Sequence, residues 1–151
     1  MTYMPLSGSG NRFIVDSTGR REKLDLNDDY VPLPFSAKGR VKGQLVFAGY
    51  GISAPEYGYD DFAGIDVRGK IAVILRHEPQ EYDGESIFAG KIYTEHSQLF
   101  AKAANASLHG ARAVVMVNDT DQHGGSAGRL AVSGPPSMDE TPRRKRSSSS
   151  R

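Results

Sequence analysis

The sequence IAVILRHEPQEYDGESIFAGKIYTEHSQLFAKAANASLHGARAVVMVN occupies residues 71–118 and decides the fold class. It opens with the apolar run 71–75 and closes with a second apolar run, 113–117. Both runs are short and rich in β-branched residues, which is typical of strands buried on both faces. A helical pattern lies between them, so the stretch predicts a central βαβ unit with two parallel strands.

The segment between the two strands divides into a loop and a helix. Residues 75–94 are polar and interrupted by proline and glycine, and loops of that length in a compact domain tend to be functional or mobile. The helix is predicted to begin at Thr94, whose hydroxyl can cap it, and to end at Gly110. Its apolar face is formed by Leu99, Ala103 and Ala106.

Shorter strands are predicted on the N-terminal side of this unit. Residues 12–16 and 22–26 flank a turn that contains glycine, which indicates a hairpin. Residues 30–35 include two prolines without amide donors, so this run is expected as an extended segment at a sheet edge. A further strand is predicted over residues 40–48, interrupted by Gly43.

Length and composition favour a single domain. The 151 residues suffice for one core, and we expect a linker at 1–10, the domain at 11–128 and a tail at 129–151. The tail is rich in serine and arginine and cannot bury enough apolar area to offset its ordering entropy. We therefore predict that it is disordered or non-native rather than a targeting signal or an arm that binds nucleic acid.

Charge and residue content exclude several classes of function. The net charge is +1, so no overall field favours nucleic acid or an anionic membrane as a partner. The chain has no cysteine, which rules out disulfides and thiolate ligands. No apolar stretch is long enough to span a bilayer, and no signal peptide is visible at the first residues.

The glycine-rich stretch Gly49–Ala54 fits G-x-G-x-x-A, the fingerprint of a dinucleotide-binding loop. In such loops the glycines open a helix that faces the pyrophosphate. Pro55 and Gly58 fall where that helix would run, so the fingerprint is interpreted as a coincidence in a connecting loop. We predict positive φ at one or more of Gly49, Gly51 and Gly58, and no helix that opens at Ser53.

No catalytic or metal-binding motif is visible. The four histidines do not belong to H-x-D, H-E-x-x-H or a similar spacing, and there is no Glu-Glu pair. The letters of G-x-S-x-G occur once, at residues 124–128, in an Asp/Gly/Ser-rich stretch rather than in a predicted strand-to-helix turn, so no nucleophile elbow is assigned. The adjacent acids Asp28–Asp29 and Asp60–Asp61 are interpreted as turn and cap residues, with calcium binding as the less favoured interpretation.

A contact surface is the remaining kind of site. Tyrosines cluster around the glycine loop, and a histidine and a glutamate begin the long loop that follows the strand 71–75. We take these five as candidate residues for contact with a peptide or protein: Tyr50, Tyr57, Tyr59, His77 and Glu78. An independent peptide-binding module is therefore one hypothesis, and a nucleotide-binding protein is a remote one.

Several motifs carry a likeness to a known family. They are VFAGYG at 46–51, GYDDF at 58–62 and GIDVRGK at 64–70, followed downstream by the helix and strand that end at Asn118. Over roughly residues 11–118 the chain resembles the protease-associated domain of bacterial zinc aminopeptidases of the aminopeptidase Y and glutamate carboxypeptidase type. After Asn118 the sequence departs from that pattern, as if it were a piece of a larger enzyme.

The resemblance implies a β-rich α/β domain, an open β-barrel or sandwich with flanking helices around the central βαβ unit. In the family two zinc ions lie in a separate catalytic domain, so no cofactor or catalytic residue is expected in this chain. The resemblance further implies a non-catalytic role in substrate access or protein contacts, with a peptide or protein substrate and the missing catalytic domain as partners. It also implies an extracytoplasmic location, secreted or periplasmic.

Overall fold

The structure, a computed structural model, describes residues 10–118 and the backbone of residues 130–133. These residues form nine strands, one α-helix and two single 3-10 turns. The strands are β1 (Phe13–Ser17), β2 (Arg20–Leu24), β3 (Tyr30–Pro32), β4 (Leu45–Phe47), β5 (Ser53–Ala54), β6 (Tyr59–Asp60), β7 (Ile71–Leu75), β8 (Ala113–Val117) and β9 (Leu130–Ser133). The helix is α1 (Leu99–Leu108), and the 3-10 turns are Pro55–Tyr57 and Glu95–Ser97.

The main sheet has five strands in the order β3-β9-β8-β7-β4. Strands β4, β7 and β8 are parallel to one another, β9 runs antiparallel to β8, and β3 is parallel to β9. The predicted βαβ unit is therefore confirmed as β7, α1 and β8. The proline-containing β3 lies at one edge, as its missing amide donors require.

The core lies between α1 and one face of this sheet. Ala103 and Ala106 of the helix pack with alternate residues of the two central strands; these are Ala72, Ile74, Val114 and Met116. On the opposite face Ile71, Val73 and Leu75 are only half-buried. The prediction that residues 71–75 are buried on both faces is thus wrong for the second face, because among the described residues no helix covers it.

Two small antiparallel pairs complete the described architecture. β1 and β2 form the predicted hairpin, with Phe13 opposite Leu24. β5 and β6 pair across the 3-10 turn Pro55–Tyr57. The three sheets do not close into a barrel. The described part of the chain is a β-rich mixed open sheet with one α-helix, and the finer expectation of an open barrel or sandwich with flanking helices is not confirmed.

Two predicted boundaries need correction. The strand expected over 40–48 is limited to β4, since Gly43 and the polar residues before it do not pair. The helix begins at Leu99 rather than at Thr94. Thr94 does act as a cap, but its hydroxyl accepts from the amide of His96 and so caps the 3-10 turn that precedes α1.

One described strand lies beyond the predicted end of the domain. Leu130–Ser133 falls in the segment predicted as a disordered or non-native tail, yet it forms β9 between β3 and β8. Pairing on both sides offsets the ordering entropy of these four residues. Residues 1–9 of the predicted linker 1–10 and the rest of the tail lie outside the described residues. Among the residues described, no helix has the length and apolarity to cross a membrane.

Candidate protein-contact site

Asp61 organises the glycine-rich loop that follows β4. Its Oδ2 accepts hydrogen bonds from the amides of Tyr50 and Ile52, both at 3.0 Å, and its Oδ1 accepts one at 2.7 Å from the hydroxyl of Tyr59. Backbone amides that converge on one point form the kind of concavity that binds anions. In this chain the anion is the carboxylate of Asp61, so the two converging amides are already bound by a side chain of the protein itself.

The glycines of this loop are required by its backbone. Gly49, Gly51 and Gly58 have φ values of 50°, 67° and 63°, which confirms the prediction of positive φ. A Cβ atom at Gly49 would overlap the carboxylate of Asp61. Ser53 lies in β5, and only a single 3-10 turn follows it, so no helix opens at the fingerprint.

A buried lysine joins this loop to α1. Lys102 is fully buried, and its Nζ donates to the carbonyl oxygen of Tyr50 at 2.6 Å and lies 5.5 Å from the centre of the Tyr50 ring. Burial lowers the pKa of Lys102 to about 8, and the nearby carboxylates of Asp61 and Glu78 partly oppose that shift. No sequence signal pointed to this role, because a lysine within a helical pattern is usually solvated.

Aromatic side chains connect the glycine loop to the long loop over residues 76–94. Phe88 is buried and makes edge-on contacts with Tyr57 and Tyr59, at centroid distances of 5.3 and 5.0 Å. Tyr57 also packs edge-on against His96, whose Nε2 lies 2.7 Å from a carboxylate oxygen of Glu56. The 3-10 turns at 55–57 and 95–97 are therefore joined by a ring contact and a hydrogen bond.

Two buried glutamates hold the long loop in place. Glu78 accepts hydrogen bonds from the amide and the hydroxyl of Thr94. Glu81 accepts one from the hydroxyl of Tyr93, and its other oxygen lies 3.7 Å from Nδ1 of His77. The loop is thus closed on itself near both of its ends, although it contains no regular secondary structure.

The long loop also carries backbone strain. Four residues other than glycine have positive φ, an uncommon conformation for them: His77, Gln80, Tyr82 and Ala89. Such conformations persist only where surrounding contacts over-determine them. The loop therefore has one defined conformation, which its surrounding contacts maintain.

This loop exposes large apolar side chains. Ile92 is 74% exposed and Tyr82 is 58% exposed, and others on the loop are similarly open to solvent. Tyr57 adds to them from the glycine loop, since it packs on Phe88. We call this set the contact surface; it consists of Tyr57, Tyr82, Ile87, Ile92 and Tyr93.

The exposed charges around the contact surface are mainly acidic. They are Glu56, Asp83, Glu85 and Glu95, against the single exposed cation Lys91 on the long loop. Aromatic and aliphatic side chains surrounded by carboxylates suit a partner that presents apolar groups and positive charge.

The structure brings the five predicted contact residues to one region but gives them different roles. Tyr57 is exposed and belongs to the contact surface. Tyr59 is committed to Asp61, and the carbonyl of Tyr50 is committed to Lys102. The remaining two are adjacent in sequence but have different described partners: His77 faces Glu81 and Tyr93, and Glu78 faces Thr94.

The zinc ions that the resemblance assigns to a separate domain have no counterpart among these residues. In the part of the chain that the structure describes, no three His, Cys, Asp or Glu side chains come together in a way that could hold a metal ion. The donor set does not fit such a group, so no chemical step is assigned to a metal in this chain.

Comparisons with known proteins agree with this architecture at the level of the domain family. No curated protein matches the chain. A solved structure, the aminopeptidase from Aneurinibacillus sp. strain AM-1, is 28% identical with a TM-score of 0.38, over 66% of this chain and 20% of the aminopeptidase. The sequence model described as the PA domain matches residues 41–145. Because that match spans well over half of the 151 residues, the chain belongs to the PA domain family.

Proposed function

We propose that this PA domain is a non-catalytic accessory part of a zinc-dependent aminopeptidase and governs substrate access or protein contacts. Family membership supports the accessory role. The motifs at 46–51, 58–62 and 64–70 support the aminopeptidase parent. The chain spans only about a fifth of the solved aminopeptidase that it matches, since the match covers 20% of that protein.

The observation that carries the proposal is a contact surface on a loop that buried hydrogen bonds hold in place. Apolar side chains cost free energy when they face water, and several large ones exposed on one ordered loop are suited to contact with a partner. Glu78 and Glu81 hold the loop before any partner arrives, so binding orders fewer groups and costs less entropy. The surface is therefore suited to contact a peptide or a neighbouring protein domain.

The non-catalytic role is tested by an assay of the purified chain. We expect no turnover of aminoacyl-nitroanilides with added zinc, because the described residues offer no donor set for the metal. Reproducible turnover that survives further purification and is removed by a chelator would contradict the proposal.

The role of the contact surface is tested by titrating apolar peptides with a free amino terminus and following amide shifts by NMR. We expect weak binding, with a dissociation constant of about 1 mM, since an accessory domain shares its peptide with a second domain. The double change Ile87→Ser and Ile92→Ser should abolish the shifts. Leu108→Ser is the matched control, since Leu108 is exposed on α1 and lies outside the contact surface. Shifts that the double change leaves intact would contradict this role.

The alternative is an independent peptide-binding module centred on Tyr57. Its exposure and its contacts with Phe88 and His96 favour this alternative. An independent module would bind peptides at about 1 μM without a second domain. Tight binding that is lost in Tyr57→Ala would favour the independent module over the accessory role. A titration without any change in signal would contradict the independent module.

Nucleotide binding at the glycine loop is the least supported alternative. The amides that would receive a phosphate are occupied by Asp61, and only a 3-10 turn follows the loop in place of the helix that a phosphate needs. We expect calorimetry with NAD and with ATP to show no binding heat. A saturable heat with either nucleotide would restore this alternative.

A further inference from the structure

The second edge of the main sheet has a different character from the proline-containing edge. Within the described residues, β4 pairs only with β7. The carbonyl of Gln44 and the amide of Ala48 bond to β7. Because hydrogen-bonding direction alternates along a strand, Val46 also faces β7, and the amides and carbonyls of Leu45 and Phe47 face away from the sheet.

The side chains of these two residues are also open to solvent. Leu45 is 41% exposed and Phe47 is 58% exposed, and a period of two places them on the same face. Natural edge strands are usually protected by proline, by a charge within the strand or by a bulge. β4 is only three residues long, which itself limits pairing, but it has none of these other devices and presents backbone groups without a described partner beside apolar side chains.

Positive charge lies just before this edge strand. Lys38, Arg40 and Lys42 are exposed, and none of them forms an ion pair with another described residue. Residues 36–48 contain no aspartate or glutamate. The segment that leads into this unpaired strand therefore carries three exposed cations that no described acid neutralises.

We propose that the β4 edge is a docking site for an extended acidic segment of a partner protein, which adds a sixth strand to the main sheet. Backbone groups of the segment bond to Leu45 and Phe47, and its apolar side chains pack on theirs. Its carboxylates lie opposite Lys38, Arg40 and Lys42. This site is separate from the contact surface and does not depend on the function proposed for that surface.

The charge pattern is the reason for committing to an acidic segment. A second copy of this chain would bring its own Lys38, Arg40 and Lys42 to the same edge in a parallel arrangement, and like charges would repel. An antiparallel copy would place cations at both ends with no carboxylate from residues 36–48 to meet them. A segment of alternating apolar residues flanked by glutamates or aspartates satisfies both the strand and the charges.

The test uses the full chain and two probe peptides. One is acetyl-Val-Thr-Val-Thr-Val-Glu-Gly-Glu-amide, and the other has the reverse order, so the two cover both strand directions. We expect saturable binding of at least one probe, with amide shifts in NMR spectra centred on Leu45 and Phe47. The same probes with lysine in place of glutamate should bind about fivefold more weakly, because they lack the matching charge, and probes with N-methylated valines should not bind, because they lack backbone donors.

Variants of the chain separate the two parts of the site. Arg40→Glu with Lys42→Glu should raise the dissociation constant of the probe that binds by about fivefold, in line with the loss of two exposed charge pairs. Leu45→Pro removes an amide that faces away from β7, so it should abolish binding while circular dichroism stays unchanged. Arg21→Glu with Lys23→Glu is the control, since these exposed cations lie on β2 in a separate sheet.

Three results would overturn the proposal. Absence of saturable binding by both probes is the first. Binding with shifts away from β4, or unaffected by Leu45→Pro, is the second. Self-association of the chain through this edge, detected by sedimentation and abolished by Leu45→Pro, is the third, because it would show that the edge serves a second copy.

Discussion

Asp61 shows how a carboxylate can take the place of a ligand in a glycine-rich loop. The sequence pattern of the loop is that of a phosphate-binding turn, and the loop does present two converging amides. Those amides bind the side chain of Asp61, which directly follows β6. The glycines therefore allow the loop amides to bind the carboxylate of Asp61. The fingerprint indicates a loop conformation and not a cofactor site.

A comparison of two glycines in this loop gives the first prediction. Gly49→Ala should lower the free energy of unfolding by about 3 kcal/mol, because its Cβ would overlap the hydrogen-bonded carboxylate of Asp61 and its φ is 50°. Gly58→Ala is the matched control: its φ is similar, but nothing lies near the added Cβ, so about 1 kcal/mol is expected. Urea unfolding measures both. Equal losses would show that the contact with Asp61 does not matter.

The buried Lys102 gives a prediction about pH. Burial lowers its pKa to about 8 from an ordinary 10.5, so between these values the unfolded chain binds more protons than the folded chain. The free energy of unfolding should therefore rise with pH, by on the order of 2 kcal/mol between pH 8 and pH 10. Burial and a hydrogen bond to Asp61 raise the pKa of Tyr59 above its ordinary 10.0, so its opposite effect on stability begins only near pH 10.

The measurement is urea unfolding at several pH values. Lys102→Met should remove the rise, whereas Lys91→Met should keep it, because Lys91 is exposed on the long loop. A rise that persists in Lys102→Met would assign it to another group.

At the scale of elements, the long loop between β7 and α1 is the feature that departs most from expectation. Its length and polarity are compatible with mobility, yet Glu78, Glu81 and Phe88 are buried. These contacts fix the backbone of the loop that carries the exposed apolar side chains. The element therefore combines the order of a core segment with the exposure of a binding loop.

Proteolysis tests whether the buried glutamate maintains that order. Glu78→Gln keeps the shape of the side chain but offers one acceptor oxygen to the amide and hydroxyl of Thr94 instead of two. Cleavage within residues 76–94 should become about tenfold faster, which corresponds to one weakened buried hydrogen bond. Glu85→Gln is the control, since Glu85 is exposed on the same loop. An equal rate in Glu78→Gln and the parent chain would contradict this role.

At the scale of the whole molecule, the main sheet has chemically different ends. The cations Lys42, Lys70 and Arg112 directly or closely precede the parallel strands β4, β7 and β8. The loops that follow β4 and β7 carry most of the described acids and the contact surface. Because parallel strands place all their starts at one end, these cations lie at the same end of the sheet, where Asp66 pairs with Lys70.

The position of β9 gives a prediction for the whole fold. A chain that ends at residue 128 lacks β9, which joins β3 to β8 in the main sheet. It should unfold at a clearly lower temperature than the full chain, because β3 loses its partner and β8 becomes an edge. A chain that ends at residue 145, where the family match stops, should behave like the full chain. Equal melting of all three by circular dichroism would show that β9 contributes little.

The sequence predicted the local elements well because their signals are local. The apolar runs 71–75 and 113–117, the helical face and the proline-containing edge all follow from period and propensity. The positive φ of the three loop glycines is confirmed for the same reason. The resemblance to the protease-associated domain, which rests on the order of the motifs, is confirmed at the level of the PA domain family.

The tertiary structure alone decided the contacts that join distant segments. Asp61 and Lys102 lie far apart in the chain and come near each other only because the fold brings the glycine loop against α1. The pairing of β9 beside β8 likewise depends on free edges that other strands create. Periodicity describes how one segment buries its own side chains. It carries no information about which distant segment completes a hydrogen bond, neutralises a buried charge or leaves an apolar side chain in water, since those energies depend on the packed arrangement of the whole chain.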